Sequence, residues 1–261
     1  MSSQTTGKLT FLGSGTSQGV PVIGCQCPTC QSTDPKDQRL RVSVLVEVPD
    51  LTFAIDAGPD FRQQMLNCGC TQLDGILFTH EHADHTAGLD DIRPFFFKQG
   101  SPIPVYGHQR VLQNLSKRFD YIFENENKYP GAPSVHPIEI INDQSFMIGT
   151  TPVIPINVHH GHVQVFGFRI QDFAYLTDVK TIEDAEIQKL KGVKVLVVNA
   201  LREESHHSHF NLQEALDFIN LVQPETAYLT HISHLLGFHE EVQQRLPKNV
   251  YLAYDNLKIT I

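Results

Sequence analysis

Short apolar runs alternate with polar, glycine-marked breaks along the whole chain. Lys8–Leu12 reads as a first strand, and Arg41–Val48 with Leu51–Asp56 form two β-branched runs around Pro49-Asp50, the pattern of a hairpin. Phe61–Leu66 has helical spacing. Gly75–Phe78 is a short apolar strand, and Thr86–Ile92 begins a helix. Ile103–Gly107 reads as a strand, Gln109–Phe119 as a helix, and Ser134–Ile141 and Ser145–Ile148 as strands. Pro152–Val158 is a further strand, and Val165–Ile170 with Phe173–Thr177 make a second hairpin. A short helix over Glu183–Leu190 precedes Val193–Asn199, which is apolar enough to be covered on both faces. Leu212, Ala215, Leu216 and Ile219 form one face of a helix capped near Asn211. Ala227–Thr230 is the last core strand, before a helix at His239–Arg245 and two short strands. Helices and strands alternate without a linker, which predicts one α/β domain over residues 1–261. Arg93–Phe97 yields no clear element, and the run Phe95–Phe97 suits a core or a homodimer contact.

The chemistry concentrates after the apolar run that ends at Phe78. His80, His82, Asp84 and His85 form H-x-H-x-D-H. Four such side chains in six residues are too crowded for one tetrahedral ion. They suit two divalent ions, with His80 and His82 on one and Asp84 and His85 on the other. Cys25, Cys27 and Cys30 are three thiols in six residues, a tetrahedral metal site short of one ligand, with a redox disulfide as the lesser alternative. Cys68 and Cys70 lack neighbours of that kind and read as packing residues in a C-G-C turn. The glycines of Gly13–Gly19 fit either a tight turn needing positive φ or a backbone cradle for an anion. Downstream, one of His159, His160 and His162 can converge with Asp178, because the strands that precede them end side by side. His206 and His207 read as solvated loop residues.

The remaining numbers narrow the class. A hydrophobic content of 41% in 261 residues fits an ordinary globular chain, and a net charge of −9 disfavours extended contact with nucleic acid. The polar start Met1–Lys8 carries no signal-peptide pattern, and no apolar run spans a bilayer. A cytoplasmic chain with reduced thiols and no membrane partner is the expectation.

The H-x-H-x-D-H segment resembles the signature of the metallo-β-lactamase superfamily. From Leu12 to about His234 the chain is most similar to its PhnP-like phosphodiesterase branch. The resemblance implies an αββα four-layer sandwich, two mixed sheets flanked by helices. It implies a dinuclear site of two Zn or Mn ions, with His80, His82 and His160 on the first ion, Asp84, His85 and His231 on the second, and Asp178 bridging. Among the three candidate histidines, the family's spacing points to His160. Asp56 matches the strand-end residue that orders the metal loop, and His234 matches the fourth ligand of a structural Zn held by Cys25, Cys27 and Cys30. The loop at Gly13–Gly19 matches one that borders the active site. His209 matches the active-site histidine of the phosphodiesterase branch, a proton donor or a cationic clamp, and Asp84 also orients the attacking hydroxide. The implied activity is hydrolysis of a small cyclic or nucleotide-like phosphodiester. A tRNA 3′-end processing endoribonuclease is the alternative, weakened by the acidic charge and by the lack of a long Gly/Pro-rich arm. A non-catalytic metal-binding protein of cofactor biosynthesis is the other, and a β-lactamase or thioesterase fits less well.

Overall fold

Alternation along the strands divides each one between two cores. Val44 and Val46 face one apolar cluster while Leu45 faces another, and Phe53 and Ile55 are separated from Ala54 in the same way. A strand buried on both faces belongs to the inside of a layered molecule. The computed structural model describes residues 7–124, 126 and 128–261, so the polar start read above lies largely outside the described residues.

The first sheet begins with β1 (Lys8–Gly13), β2 (Ser43–Val48) and β3 (Leu51–Ile55), all antiparallel. Helix α1 (Phe61–Cys68) then leads to β4 (Gly75–Leu77), parallel to β3. Next come α2 (Ala83–Thr86), a 3₁₀ turn at Leu89–Ile92 and α3 (Arg93–Gln99). The helix therefore starts inside the histidine motif, earlier than the sequence pattern suggested. Pro94, which reads as a breaker, sits in the first turn of α3, where its missing N–H leaves no bond unmade. Phe95 is buried, Phe96 packs against the core, and Phe97 is 56% exposed. Strand β5 (Ile103–Gly107), α4 (Gln109–Arg118), α5 (Asp120–Phe123) and β6 (Val135–Glu139) complete this half.

The second sheet contains β7 (Phe146–Ile148), β8 (Thr151–His160), β9 (Val163–Ile170), β10 (Phe173–Tyr175) and β11 (Thr181–Ile182). After α6 (Asp184–Gln188) it continues through β12 (Val195–Asn199), α7 (Leu212–Val222), β13 (Thr226–Thr230), α8 (His239–Arg245) and β14 (Val250–Leu252). A capping box at Asn211 and Glu214 starts α7, as the sequence indicated. The last strand, β15 (Lys258–Thr260), crosses back to pair with β1. Phe11, Phe53, Phe166, Phe168, Phe173 and Tyr175 fill the space between the sheets. Helices α1, α3 and α4 cover the outer face of the first sheet, and α7 and α8 that of the second. The chain is thus an αββα sandwich with two mixed sheets. Among the described residues no helix is long and apolar enough to cross a membrane.

The glycines after β1 serve close backbone approach. A Cβ on Gly13 would lie 2.0 Å from the Arg41 carbonyl, and one on Gly15 would lie 2.9 Å from the Leu40 carbonyl. Gly19, at φ 67°, is the member of the run that needs left-handed backbone. The loop pairs with the segment after β13: Ser14 accepts from Ile232 N at 2.9 Å, and Thr16 N donates to Ile232 O at 3.0 Å. Buried Arg39 clasps it from behind, donating to Ser14 Oγ at 2.8 Å and Ala253 O at 2.6 Å.

Candidate metal centre

Segments far apart in sequence meet where several strands end at one edge of the two sheets. The loop after β4 brings His80, His82, Asp84 and His85, and the end of β8 brings His160. Asp178 follows β10, and His231 follows β13. Asp56, Asp178 and His231 adopt left-handed backbone at φ 66°, 59° and 55°, unusual for residues other than glycine. Such conformations persist where the surroundings over-determine them, and they concentrate at functional sites. The loops also touch closely. A Cβ on Gly58 would lie 2.0 Å from the Asp84 carbonyl, and one on Gly88 would lie 2.1 Å from the Gly58 carbonyl.

Ligand-type atoms converge in three overlapping groups: His80, His85 and Asp178; Asp84, His85 and His231; His160, Asp178 and His209. His85 Nε2 lies 3.3 Å from both Asp84 Oδ2 and Asp178 Oδ2, and His231 Nε2 lies 3.4 Å from Asp178 Oδ1. The His82 ring sits 4.5 Å from that of His80 and 5.3 Å from that of His160. Asp178 therefore lies between the two halves of the cluster. Of the three histidines left open by the sequence, His160 joins this cluster. His159 pairs with Thr181 across the sheet, and His162 is exposed in a turn.

Hydrogen bonds around the cluster hold three of the rings by their outer nitrogens. His85 Nδ1–H donates to Asp56 Oδ2 at 2.7 Å, His80 Nδ1–H to Thr79 Oγ1 at 3.0 Å, and His160 Nδ1–H to the Ser208 carbonyl at 2.7 Å. Asp56 in turn accepts from Thr79 N at 2.9 Å. For His80, His85 and His160 this leaves Nε2 facing inward. His80 Nε2, His85 Nε2 and both nitrogens of His231 are buried with no hydrogen-bond partner. Buried polar atoms without partners cost about 1–3 kcal/mol each, so their convergence on two carboxylates fits a bound cation.

The electrostatics agree. Burial disfavours a charged His85, yet Asp84, Asp178 and Asp56 together outweigh it and carry its pKa well above the imidazole range. Burial likewise opposes ionised Asp178, but His231 and His85 hold its carboxyl well below the usual range, and His85 and His231 do the same for Asp84. The cluster needs positive charge among its carboxylates. His209 is different. Burial, then the neighbouring His231, lowers it to about 2.

The thiol loop forms a separate cluster. Cys27 Sγ lies 3.2 Å and Cys25 Sγ 3.5 Å from His234 Nδ1, and Cys30 completes the group. A Zn–S bond of ~2.3 Å and a Zn–N bond of ~2.0–2.1 Å imply a tetrahedral S···N edge of ~3.5 Å, close to these separations. The His234 contact lowers Cys27 to about 6, while burial raises Cys30 to about 11.

Some participants escaped the sequence reading. His206 is half-buried, its ring 5.1 Å from that of His209, rather than solvated. Ser208 fixes His160 through its carbonyl, and Arg110 meets Glu81 of the motif at 2.9 Å. The H-H-S-H spacing was the available signal for the first two.

A β-lactamase superfamily domain model matches residues 52–232. A solved structure described as a new diphosphatase from the PhnP family shares 39% identity and a TM-score of 0.91, covering 98% of this chain and 97% of its own. An octanoyltransferase of Porphyromonas gingivalis is 39% identical over 254 residues, covering 96% of this chain and 51% of that protein. A coenzyme PQQ synthesis protein B of Rhodopseudomonas palustris is 28% identical over 176 residues, covering 62% of this chain and 52% of that protein. The chain spans about half the length of these curated relatives. Its fold, its convergent ligand atoms and its near-complete alignment with a PhnP-family structure agree, and the chain belongs to the PhnP family of metal-dependent hydrolases within the metallo-β-lactamase superfamily.

Proposed function

We propose that the chain hydrolyses a small cyclic or nucleotide-like phosphodiester at a dinuclear centre of Zn or Mn. His80, His82 and His160 would hold one ion, Asp84, His85 and His231 the other, and Asp178 would bridge them. The observation that carries this reading is the set of buried, unpartnered imidazole nitrogens aimed at Asp84 and Asp178. A pair of divalent ions, when bound, supplies Lewis acidity and makes water an effective nucleophile at neutral pH.

The chain's own groups do the rest. Asp84, less buried than Asp178, accepts a hydrogen bond from the attacking water and orients it toward phosphorus. His209 flanks Asp178, its Nδ1 3.6 Å from Asp178 Oδ1, and its ring lies 4.3 Å from that of His160 and 4.8 Å from that of His231. As proton donor, His209 would take a proton from solvent when the anionic substrate binds and pass it to the leaving alkoxide. Cys25, Cys27, Cys30 and His234 would hold a structural zinc that ties the loop after β1 to the segment behind His231.

Turnover of bis(p-nitrophenyl) phosphate by metal-loaded protein tests the reading, and no turnover with either Zn or Mn would reject it. A second reading takes an octanoyl group from the name of the octanoyltransferase, of which the chain matches 51%, and tests it as hydrolysis of an octanoyl thioester. Faster cleavage of that thioester than of any phosphodiester or diphosphate ester would favour it. For His209, the His209→Ala variant should lose at least about 100-fold with an alkyl leaving group and less than tenfold with nitrophenolate. Equal losses would leave a clamp and remove the proton donor.

A further inference from the structure

A run of imidazoles leads out of the metal cluster along the loop between β12 and α7. The His231 ring stacks on that of His209 at 4.8 Å, His209 lies 5.1 Å from His206, and His206 lies 4.3 Å from His207. Exposure rises along the run. His231 and His209 are buried, His206 is half-buried and His207 is exposed. Bond cleavage engages the two inner rings and leaves the outer two free. The orientation of His206 is set from behind. Ser208 N donates to His206 Nδ1 at 3.3 Å, so Nδ1 holds the lone pair and the proton sits on Nε2. Ser208 is itself fixed, because its carbonyl accepts from His160 Nδ1 at 2.7 Å. His206 thus presents an N–H that, among the described residues, no group of the chain accepts. Beside it Arg202 folds onto the same loop, donating through Nε to Glu204 O at 3.4 Å and through Nη2 to Ser205 O at 3.1 Å. Both partners are neutral carbonyls. Glu203 pairs with Arg245 at 2.9 Å instead, and Glu204 is exposed. Burial, then His207, Arg202, His160 and Lys180, all lower the His206 pKa, so the neighbouring charges that act most on it are positive. On a chain of net charge −9 this is a local cationic mouth.

We propose, resting on the phosphoester chemistry above, that His206 and Arg202 form an outer subsite for a second phosphoryl group, so that the preferred substrate is an ester of a diphosphate. A phosphoryl group beside Asp178 and His209 places the next phosphoryl of a diphosphate against the neighbouring ring, one ring spacing further out. Its oxygens accept from His206 Nε2–H and from the Arg202 guanidinium, whose planar fork of N–H groups suits phosphate. The inner rings act on the bond that breaks, and the outer pair selects what carries it. His206 and Arg202 are therefore specificity residues, and their contribution falls on binding rather than on the chemical step.

Equilibrium binding tests the subsite without turnover. Metal-loaded protein is titrated calorimetrically with adenosine monophosphate, with the α,β-methylene analogue of adenosine diphosphate, whose bridge resists hydrolysis, and with adenosine 3′,5′-bisphosphate, whose two phosphates are apart. The methylene diphosphate should bind at least about tenfold tighter than either of the others. His206→Asn keeps an acceptor toward Ser208 N and removes the outer N–H, and Arg202→Met removes the charge. Each should cut that preference at least about fivefold, and His206→Gln, which restores an outer N–H, should recover most of it. In turnover, each variant should raise KM for a diphosphate diester such as ADP-ribose, with a loss in kcat/KM at least about tenfold greater than on bis(p-nitrophenyl) phosphate. A methylene diphosphate that binds wild-type protein no tighter than the monophosphate would overturn the proposal. So would an equal gain for the bisphosphate, which reports charge alone. Equal losses on every ligand with a fall in metal content would reduce His206 to a support for Ser208 and His160, and would also overturn it. The expected binding pattern in a wild-type protein that turns over no phosphoester would remove the hydrolysis reading and leave the subsite standing.

Discussion

Asp56→Asn separates the metal site from its support. Asp56 belongs to none of the converging ligand groups, but it holds one of their members. It accepts from Thr79 N at 2.9 Å, from Thr79 Oγ1 at 2.9 Å and from His85 Nδ1 at 2.7 Å. Asparagine tolerates the left-handed backbone at φ 66° and matches the shape, but it offers one acceptor oxygen and turns an NH₂ toward a donor. One buried donor is left unpaired, at a cost of about 1–3 kcal/mol. Burial already raises the Asp56 pKa, so loss of its charge relieves some desolvation and places the stability loss at the low end. At ~2–4 °C per kcal/mol for a chain near this size, the metal-free protein should melt roughly 2–6 °C lower. The effect on metal should be larger. Loss of the group that orients a ligating imidazole lowers affinity about 10–100-fold, equivalent to ~1.4–2.8 kcal/mol. A chromogenic-chelator competition reads the weaker of the two dinuclear sites, with melting in EDTA as the control. Metal affinity within about twofold of wild type, with turnover intact, would refute the reasoning.

Cys27→Ser should remove one zinc per chain by elemental analysis and lower the melting temperature, with kcat changed by less than about threefold because that cluster stands apart from the catalytic one. Gly58→Ala should abolish metal uptake or folding, since its Cβ would lie 2.0 Å from the Asp84 carbonyl, whereas Gly107→Ala, with 3.5 Å of clearance, should melt within about 2 °C of wild type. Arg39→Met leaves the buried Ala253 carbonyl and Ser14 Oγ without their donor and should destabilise by about 1–3 kcal/mol in urea titration.

The histidine motif was legible because its ligands are contiguous and follow an apolar strand. Cys25, Cys27 and Cys30 were legible for the same reason. His160, Asp178 and His231 were not fixed by local pattern. Their convergence depends on which strands share a sheet edge, and family resemblance supplied it. The return of β15 to β1 was invisible for that reason too, because pairing across some 250 residues leaves no local trace. Backbone physics decides two places that the pattern left open. Gly13 and Gly15 are glycines because neighbouring carbonyls fill the space of a side chain, and periodicity does not register that. Arg93–Gln99 is helical because Pro94 falls in a first turn, a position set by the preceding 3₁₀ turn. His206 looked solvated because its partner, His209, faces inward from a loop whose path the sequence does not encode locally.

An anomalous-difference map from crystals grown with zinc or manganese tests the central claim most directly. Two peaks roughly 3.5–4 Å apart, both within bonding distance of Asp178 and divided between the His80/His82/His160 and Asp84/His85/His231 sets, are the expected result. A map with density only at Cys25, Cys27, Cys30 and His234, and none beside Asp178, would contradict it.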